Sequence, residues 1–207
     1  TPDGFTTQKR HDFEVSVQDS NHTHDFELNA AVVSGRLVTG KERNSDFSRI
    51  TVSVFHLGQR VVDATMNNGN EYQILIYQPG TYSLIAHAPG GILAYEPNLE
   101  IGTVPDELVV DLSPGEADLT CRVLDQIARQ PIPNARIDIQ VMEEGKKLFG
   151  DFNFTNDSGD CLLSNLPLAT YRVRAIADGY SVETKEIAVI ALTAYSLDIE
   201  MEPGPSL

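Results

Sequence analysis

Apolar and polar residues alternate along this chain in short runs bounded by Gly, Pro, Asn and Asp, the pattern of strands with one buried face. Between Arg49 and His56, Ile50, Val52 and Val54 alternate with Thr51 and Ser53, and Phe55 breaks the alternation. Thr81–Ala88 carries Tyr82, Leu84 and Ala86 on one face, and Thr170–Ala177 repeats this with Tyr171, Val173 and Ala175. Ile137, Ile139 and Val141 alternate with Asp138, Gln140 and Met142. No segment holds an apolar i, i+3, i+4, i+7 stripe over three turns. The pattern predicts an all-β chain with a strand about every 8–12 residues, hence a sandwich or barrel.

The chain also repeats itself. Asn70–Ile74 and Gly80–Gly90 align with Gly159–Leu163 and Ala169–Gly179; Thr-Tyr, two alanines and the closing glycine coincide without a gap. Upstream, Val33–Val38 matches Leu119–Leu124; downstream, Leu108–Leu112 matches Leu197–Met201. Self-similarity at this period predicts two β-sandwich units, 31–114 and 115–203, with a short tail at 204–207. Ser113-Pro114-Gly115 joins them and is too brief to act as a free linker.

In the second unit, Thr120-Cys121-Arg122-Val123 is followed by Pro131-Ile132-Pro133-Asn134-Ala135, Thr155-Asn156-Asp157-Ser158-Gly159, Asn165-Leu166-Pro167, Thr170-Tyr171 and Asp178-Gly179-Tyr180. This order resembles the carboxypeptidase regulatory-like domains, with a transthyretin-like (prealbumin-like) sandwich. The likeness spans the second unit and, more weakly, the first, which lacks the Pro-Ile-Pro turn. It implies two tandem seven-strand Greek-key sandwiches of Ig-like or prealbumin-like type. It also implies a place among accessory modules of secreted peptidases or repeats of extracellular and cell-surface proteins. Fold likeness of this kind says little about chemistry.

Residues 1–30 stand apart. Phe13, Val15 and Val17 alternate, a polar turn follows, then Phe26 and Leu28 alternate. This is the layout of the last two strands of each unit, so the chain opens on a strand pair without a sandwich. Such a pair is marginal alone in water. It has three destinations: capping the first unit, completing an upstream domain, or adding to the sheet edge of a neighbouring subunit. A bare leader at 1–9 with one edge strand is an equal alternative. Intermolecular docking is the working expectation, with Phe13, Val15, Val17, Phe26 and Leu28 as the assembly strand.

Composition narrows the partners. The chain has 207 residues, 41% hydrophobic, enough for packed cores, and a net charge of −15. Such a surface repels phosphate backbones and anionic headgroups, which excludes nucleic acid and membrane surfaces as natural partners. No apolar run approaches the ~20 residues needed to insert through a bilayer. The first residue is Thr1, which reads as a processed or excised chain.

Candidate chemistry is sparse. By the repeat, Cys121 takes the place of Gly35, and Cys161 that of Tyr72. A glycine facing a tyrosine is thus exchanged for two small thiols, which are expected to form a disulfide in an oxidising compartment. Two reduced thiols acting as small hydrophobes are the alternative. Asn21, Asn153 and Asn156 open N-glycosylation sequons, so glycans are candidate attachments. Asn67–Glu71 and Asn156–Asp160 are rich in oxygen ligands but lack the spacing of a calcium loop and read as hairpin turns. His22 and His24 lie two apart without a third ligand. No metal site, cofactor or catalytic motif is expected.

The sequence therefore reads as a non-catalytic structural protein, secreted or at the cell surface, building a stalk, array or filament. Its partners are itself or adjacent domains of a longer chain. The alternative is an accessory carbohydrate- or protein-binding module of a secreted enzyme, which an exposed cluster of Tyr77, Tyr95 and Tyr180 would favour.

Overall fold

The computed structural model describes residues 29–38, 47–67, 69–89, 91–102, 104 and 106–204. Seven strands lie in the first half: β1 (Ala31–Arg36), β2 (Thr51–His56), β3 (Gln59–Thr65), β4 (Glu71–Ile76), β5 (Gly80–Ala88), β6 (Gly91–Ile101) and β7 (Asp106–Val109). Seven more follow: β8 (Ala117–Asp125), β9 (Arg136–Glu143), β10 (Lys146–Phe154), β11 (Asp160–Leu166), β12 (Ala169–Ile176), β13 (Glu183–Val189) and β14 (Ala194–Met201). The first set makes sheets ordered β4-β1-β7 and β3-β2-β5-β6; the second makes β11-β8-β14 and β10-β9-β12-β13. Adding seven to each label of the first set gives the second, so the repeat extends to topology. In each half the first and last strands pair in parallel, β1 with β7 and β8 with β14. All other pairings within the sheets are antiparallel. The architecture is all-β, two tandem sandwiches.

Local chemistry explains why both halves fold alike. The β2–β3 hairpin turns at Leu57-Gly58 and the β9–β10 hairpin at Glu144-Gly145, and all four residues have φ between 49° and 78°. Positive φ at both central residues matches the right-handed twist of the flanking strands. Before β4 and β11 the same Asx turn recurs. Asn67 Oδ1 accepts from the Gly69 and Glu71 amides at 2.8 and 3.0 Å, and Asn156 Oδ1 from those of Ser158 and Asp160 at 2.9 and 3.0 Å. Both oxygen-rich segments are therefore turns, with the side-chain oxygen held by the backbone. Tyr82 and Tyr171 are buried, and each donates its hydroxyl to a carbonyl four residues back, Gln78 at 2.9 Å and Pro167 at 2.8 Å. A large ring thus fills each core without an unsatisfied polar tip.

Each half has a core between its sheets. The first gathers Val33, Val52, Val54, Tyr72, Leu84 and Ile101, among others. The second gathers Leu119, Val123, Ile137, Val141, Tyr171 and Ile199, and it also takes in Phe55, Ile85 and Ile92 from the first half. β2 is buried continuously from Val52 to Phe55, and β5 from Tyr82 to Ala86. Their even-numbered residues face the first core, and Phe55 and Ile85 face outward into the second. A bulge in the β5–β6 ladder between Ala86 and His87 leaves Leu93 unpaired and sets Ile92 opposite His87, on that outward face. The central strands β2 and β5 of this sheet are therefore covered on both sides, the arrangement that produces unbroken apolar runs.

Close backbone approach fixes two glycines. Gly35 pairs with Tyr72 across β1–β4, and a Cβ on it would stand 1.8 Å from the Val110 carbonyl oxygen, which accepts the Tyr72 hydroxyl at 2.6 Å. Gly115 donates to the Leu93 carbonyl at 2.8 Å, and a Cβ there would stand 2.1 Å from the Leu166 carbonyl carbon. We expect Gly35→Ala to lower unfolding free energy by about 2 kcal/mol or more, since neither backbone neighbour can move aside cheaply. Urea denaturation measures this; an unchanged midpoint would mean that the Val110 backbone shifts freely.

Candidate functional site

The place where chemistry of different elements converges is the seam between the two sandwiches. The outward face of the sheet, through Phe55, Ile85 and Ile92, covers the open side of the second sandwich, with β6 lying against β10 and β11. Glu143, at the end of β9, accepts hydrogen bonds from the Ser83 hydroxyl and, at 2.8 Å, from the Tyr95 hydroxyl. Burial and this bond to Glu143 both push the Tyr95 phenol above its usual range. Lys146 donates from Nζ to the Leu57 carbonyl at 3.0 Å. His87 stacks on Phe149 with ring centroids 4.2 Å apart. Apolar contacts supply the area, and these directional bonds fix the relative position.

Behind His87 runs a polar chain. Arg60 pairs with Asp63 at 2.8 Å, Asp63 accepts the Ser53 hydroxyl at 2.7 Å, and His87 Nε2 lies 2.9 Å from Ser53 Oγ. A serine, a histidine and an aspartate in contact invite comparison with a hydrolytic triad. Here the order is wrong, because the serine proton goes to the carboxylate and Nε2 faces Oγ as a donor. Ser53 is also fully buried, its relative exposure being 0%. The chain is a structural relay that satisfies the hydroxyl in an apolar seam. Burial, the largest influence, lowers the His87 pKa below its ordinary 6.5; Asp63 and Asp151 oppose this and Arg60 adds to it.

The structure brings Cys121 and Cys161 directly opposite each other on β8 and β11, the place Gly35 and Tyr72 hold on β1 and β4. Both are free thiols, 0% and 2% exposed, which corrects the expected disulfide. The register gives the reason. The Val123 amide donates to the Gly159 carbonyl two residues along, so the cysteines occupy a hydrogen-bonded position of the ladder. There, facing Cβ atoms lie toward ~5.5 Å, whereas a disulfide needs about 3.8 Å. Burial pushes the thiols up to about 12 for Cys121 and about 11 for Cys161, leaving them protonated and unreactive at neutral pH.

The sequons fall at β10 and the turn after it. Asn153 and Asn156 are exposed, and Thr155 is buried, donating to the Ile132 carbonyl and accepting from the Ala135 amide. The Asn153 sequon thus has its hydroxyl occupied, and the Asn156 sequon, although on the surface, has its asparagine oxygen held by the Ser158 and Asp160 amides. Asn153 and Asp151 also accept the amides of Phe154 and Phe152, each at 2.8 Å, which closes the free edge of β10 to strand pairing. Asn21, His22, His24 and the assembly-strand residues Phe13, Val15, Val17, Phe26 and Leu28 lie outside the described residues. The three tyrosines form no exposed cluster: each is half-buried, Tyr95 lies in the seam and Tyr180 donates to Asp125 at 2.9 Å. Among the described residues no group of three or more His, Cys, Asp or Glu side chains could hold a metal ion, and no helix is long and apolar enough to cross a membrane.

The seam residues Phe55, Ser83, Ile85, Ile92, Glu143 and Phe149 were not expected as a site. Their one signal in the sequence was the break of period two at Phe55 and the unbroken run Leu84-Ile85-Ala86.

No family model matches the sequence, nor does any curated protein. Solved structures similar to it include the Bacillus anthracis TIE protein, at 16% identity over 84% of this chain and 34% of that one, TM-score 0.37. A streptococcal ancillary pilin is 12% identical over 84% of this chain and 69% of its own, TM-score 0.38. The minor pilin of Streptococcus agalactiae is 13% identical over 86% of this chain and 98% of its own, TM-score 0.39. The chain spans about a third of the first of these, 34%. None of these scores is high enough to carry an argument about this chain.

Two outcomes follow from the seam and the thiols. In native buffer neither cysteine should react with iodoacetamide over hours, while denaturant without reductant should expose two alkylatable thiols by mass. A mass two protons lighter and no alkylation would restore the disulfide. For His87, a depressed folded pKa means that the native state resists protonation. Its contribution is full above pH 6.5 and is lost as pH falls through the folded value. Thermal melts should therefore show a smaller loss of stability between pH 7.5 and 5 in His87→Gln than in wild type; equal slopes would remove His87 from the pH response.

Proposed function

We propose that this chain is a non-catalytic structural element of the cell surface or extracellular space. It serves as a stiff two-sandwich segment of a stalk, array or filament. The observation that carries this reading is the seam: Phe55, Ile85 and Ile92 of the first sandwich belong to the core of the second. Domains that share buried apolar residues and a joint pinned at Gly115 resist bending, and resistance to bending is what a shaft requires. The polar groups that could suggest catalysis are engaged in structural bonds, and the cysteines are unreactive. The resemblance to repeats of extracellular proteins agrees with this location.

Within this reading, residues 1–30 of one copy add as strands to a neighbouring copy. The alternating Phe13, Val15, Val17 and Phe26, Leu28 supply the apolar face that such addition buries. Deleting residues 1–29 should leave folded monomers with unchanged far-UV circular dichroism, and should abolish rods or fibrils seen for the whole chain by negative-stain electron microscopy. Assembly that survives the deletion would end the strand-addition reading.

A further inference from the structure

The repeat makes the seam a template. In the first sandwich, the outward face of the four-stranded sheet carries Ser83 and Ile85 and is covered by the second sandwich. The matching sheet of the second sandwich, β10-β9-β12-β13, has its own outward face. Aligning Tyr82 with Tyr171 puts Arg172 where Ser83 stands and Arg174 where Ile85 stands. Within the chain this face stays open. Phe152 and Phe154 on β10 are 50% and 51% exposed, with rings 5.8 Å apart edge to face. Arg136 lies over the Phe152 ring at 4.3 Å.

Charge sets this face apart on a chain of net charge −15. Three arginines share two carboxylates. Arg136 bonds Asp138 at 2.6 Å, Arg174 reaches the same carboxylate at 4.0 Å, and Arg172 pairs with Glu186 at 2.9 Å. These ion pairs hold the guanidinium groups in place and leave a net positive charge beside two exposed rings. Arginine and aromatic side chains are the types enriched at the centres of protein interfaces.

We propose that this face is the docking surface for the first sandwich of a second copy of the chain, a contact of the same kind as the internal seam. The inference rests on the reading of the chain as an assembling element and adds to strand addition a second, separate contact between copies. Two observations favour a second copy. The first sandwich, residues 29–114, carries five basic against nine acidic side chains and so complements the arginines. The acceptor is also the counterpart, one repeat later, of a face already shown to receive a sandwich. Because donor and acceptor lie on different sandwiches, the contact is head-to-tail and propagates into an open array instead of closing as a dimer.

The test is sedimentation velocity of the whole chain across a concentration series. It compares wild type with Arg172→Ser/Arg174→Ser and with Phe152→Thr/Phe154→Thr, substitutions that suit exposed strands; thermal melts confirm folding. Wild type should self-associate, each double variant should weaken association by about tenfold or more, and raised salt should weaken wild type but not the arginine variant. Association of wild type with both variants unchanged overturns the acceptor face and leaves the assembly reading standing. A wild type that stays monomeric throughout overturns both.

Discussion

A β-sheet with two apolar faces must be covered twice, and this requirement organises the protein. In the sheet β3-β2-β5-β6, Val54 and Leu84 point to one core while Phe55 and Ile85 point to another. Exposing a side chain of that size costs about 1.5–3 kcal/mol. The first sandwich therefore needs the second for cover. The second needs the first in turn, because its open side along β10 and β11 is closed by Phe55, Ile85 and Ile92. The joint is short because the two surfaces are already in register when Gly115 passes under the Leu166-Pro167 backbone. The two halves differ from beads on a string in this mutual cover.

The repeat shows how one frame tolerates different fillings. At the β1–β4 site a glycine makes room for a tyrosine, whose hydroxyl reaches the Val110 carbonyl. At the equivalent β8–β11 site two thiols share the space, and no ring reaches the backbone. Both solutions leave the ladder intact, since the paired positions change together. The outward sheet faces diverge more: serine and isoleucine lie under cover in one half, and two half-buried arginines held by carboxylates take their places in the other. Interior positions exchanged shape for shape, and exterior positions exchanged apolar contact for charge.

Much of this frame was legible in the sequence. The alternation in β2, β5, β9 and β12 announced strands, and the offset between Tyr82 and Tyr171 announced the repeat. Alignment made Cys121 equivalent to Gly35 and Cys161 to Tyr72, and the fit of a large ring beside a missing side chain pointed to their facing. The state of the cysteines did not, because alignment gives which residues face and not whether their position in the ladder is hydrogen-bonded. The seam was hidden for a related reason. Period two assumes that one face meets water, so a strand buried on both faces shows up only as an exception, and Phe55 was that exception. Ile92 was harder still: its side of the sheet depends on the bulge at Leu93, which leaves no mark in composition.

The polar groups of the seam answer a question that apolar burial leaves open. Phe55, Ile85 and Ile92 would be covered equally well by the second sandwich in several rotated positions, since hydrophobic contact has little direction. Glu143 removes that freedom. A carboxylate drawn into an apolar boundary needs its hydrogen bonds, and here both donors, Ser83 and Tyr95, come from the first sandwich. A rotated docking would leave the carboxylate short of partners and two hydroxyls unpaired, at roughly 1–3 kcal/mol for each unsatisfied group. Lys146, paired with Glu143 across the β9–β10 hairpin, reaches the Leu57 carbonyl and adds a further directional bond at the same end of the boundary. The apolar residues hold the halves together, and a single carboxylate with two hydroxyl donors selects the one orientation in which they meet.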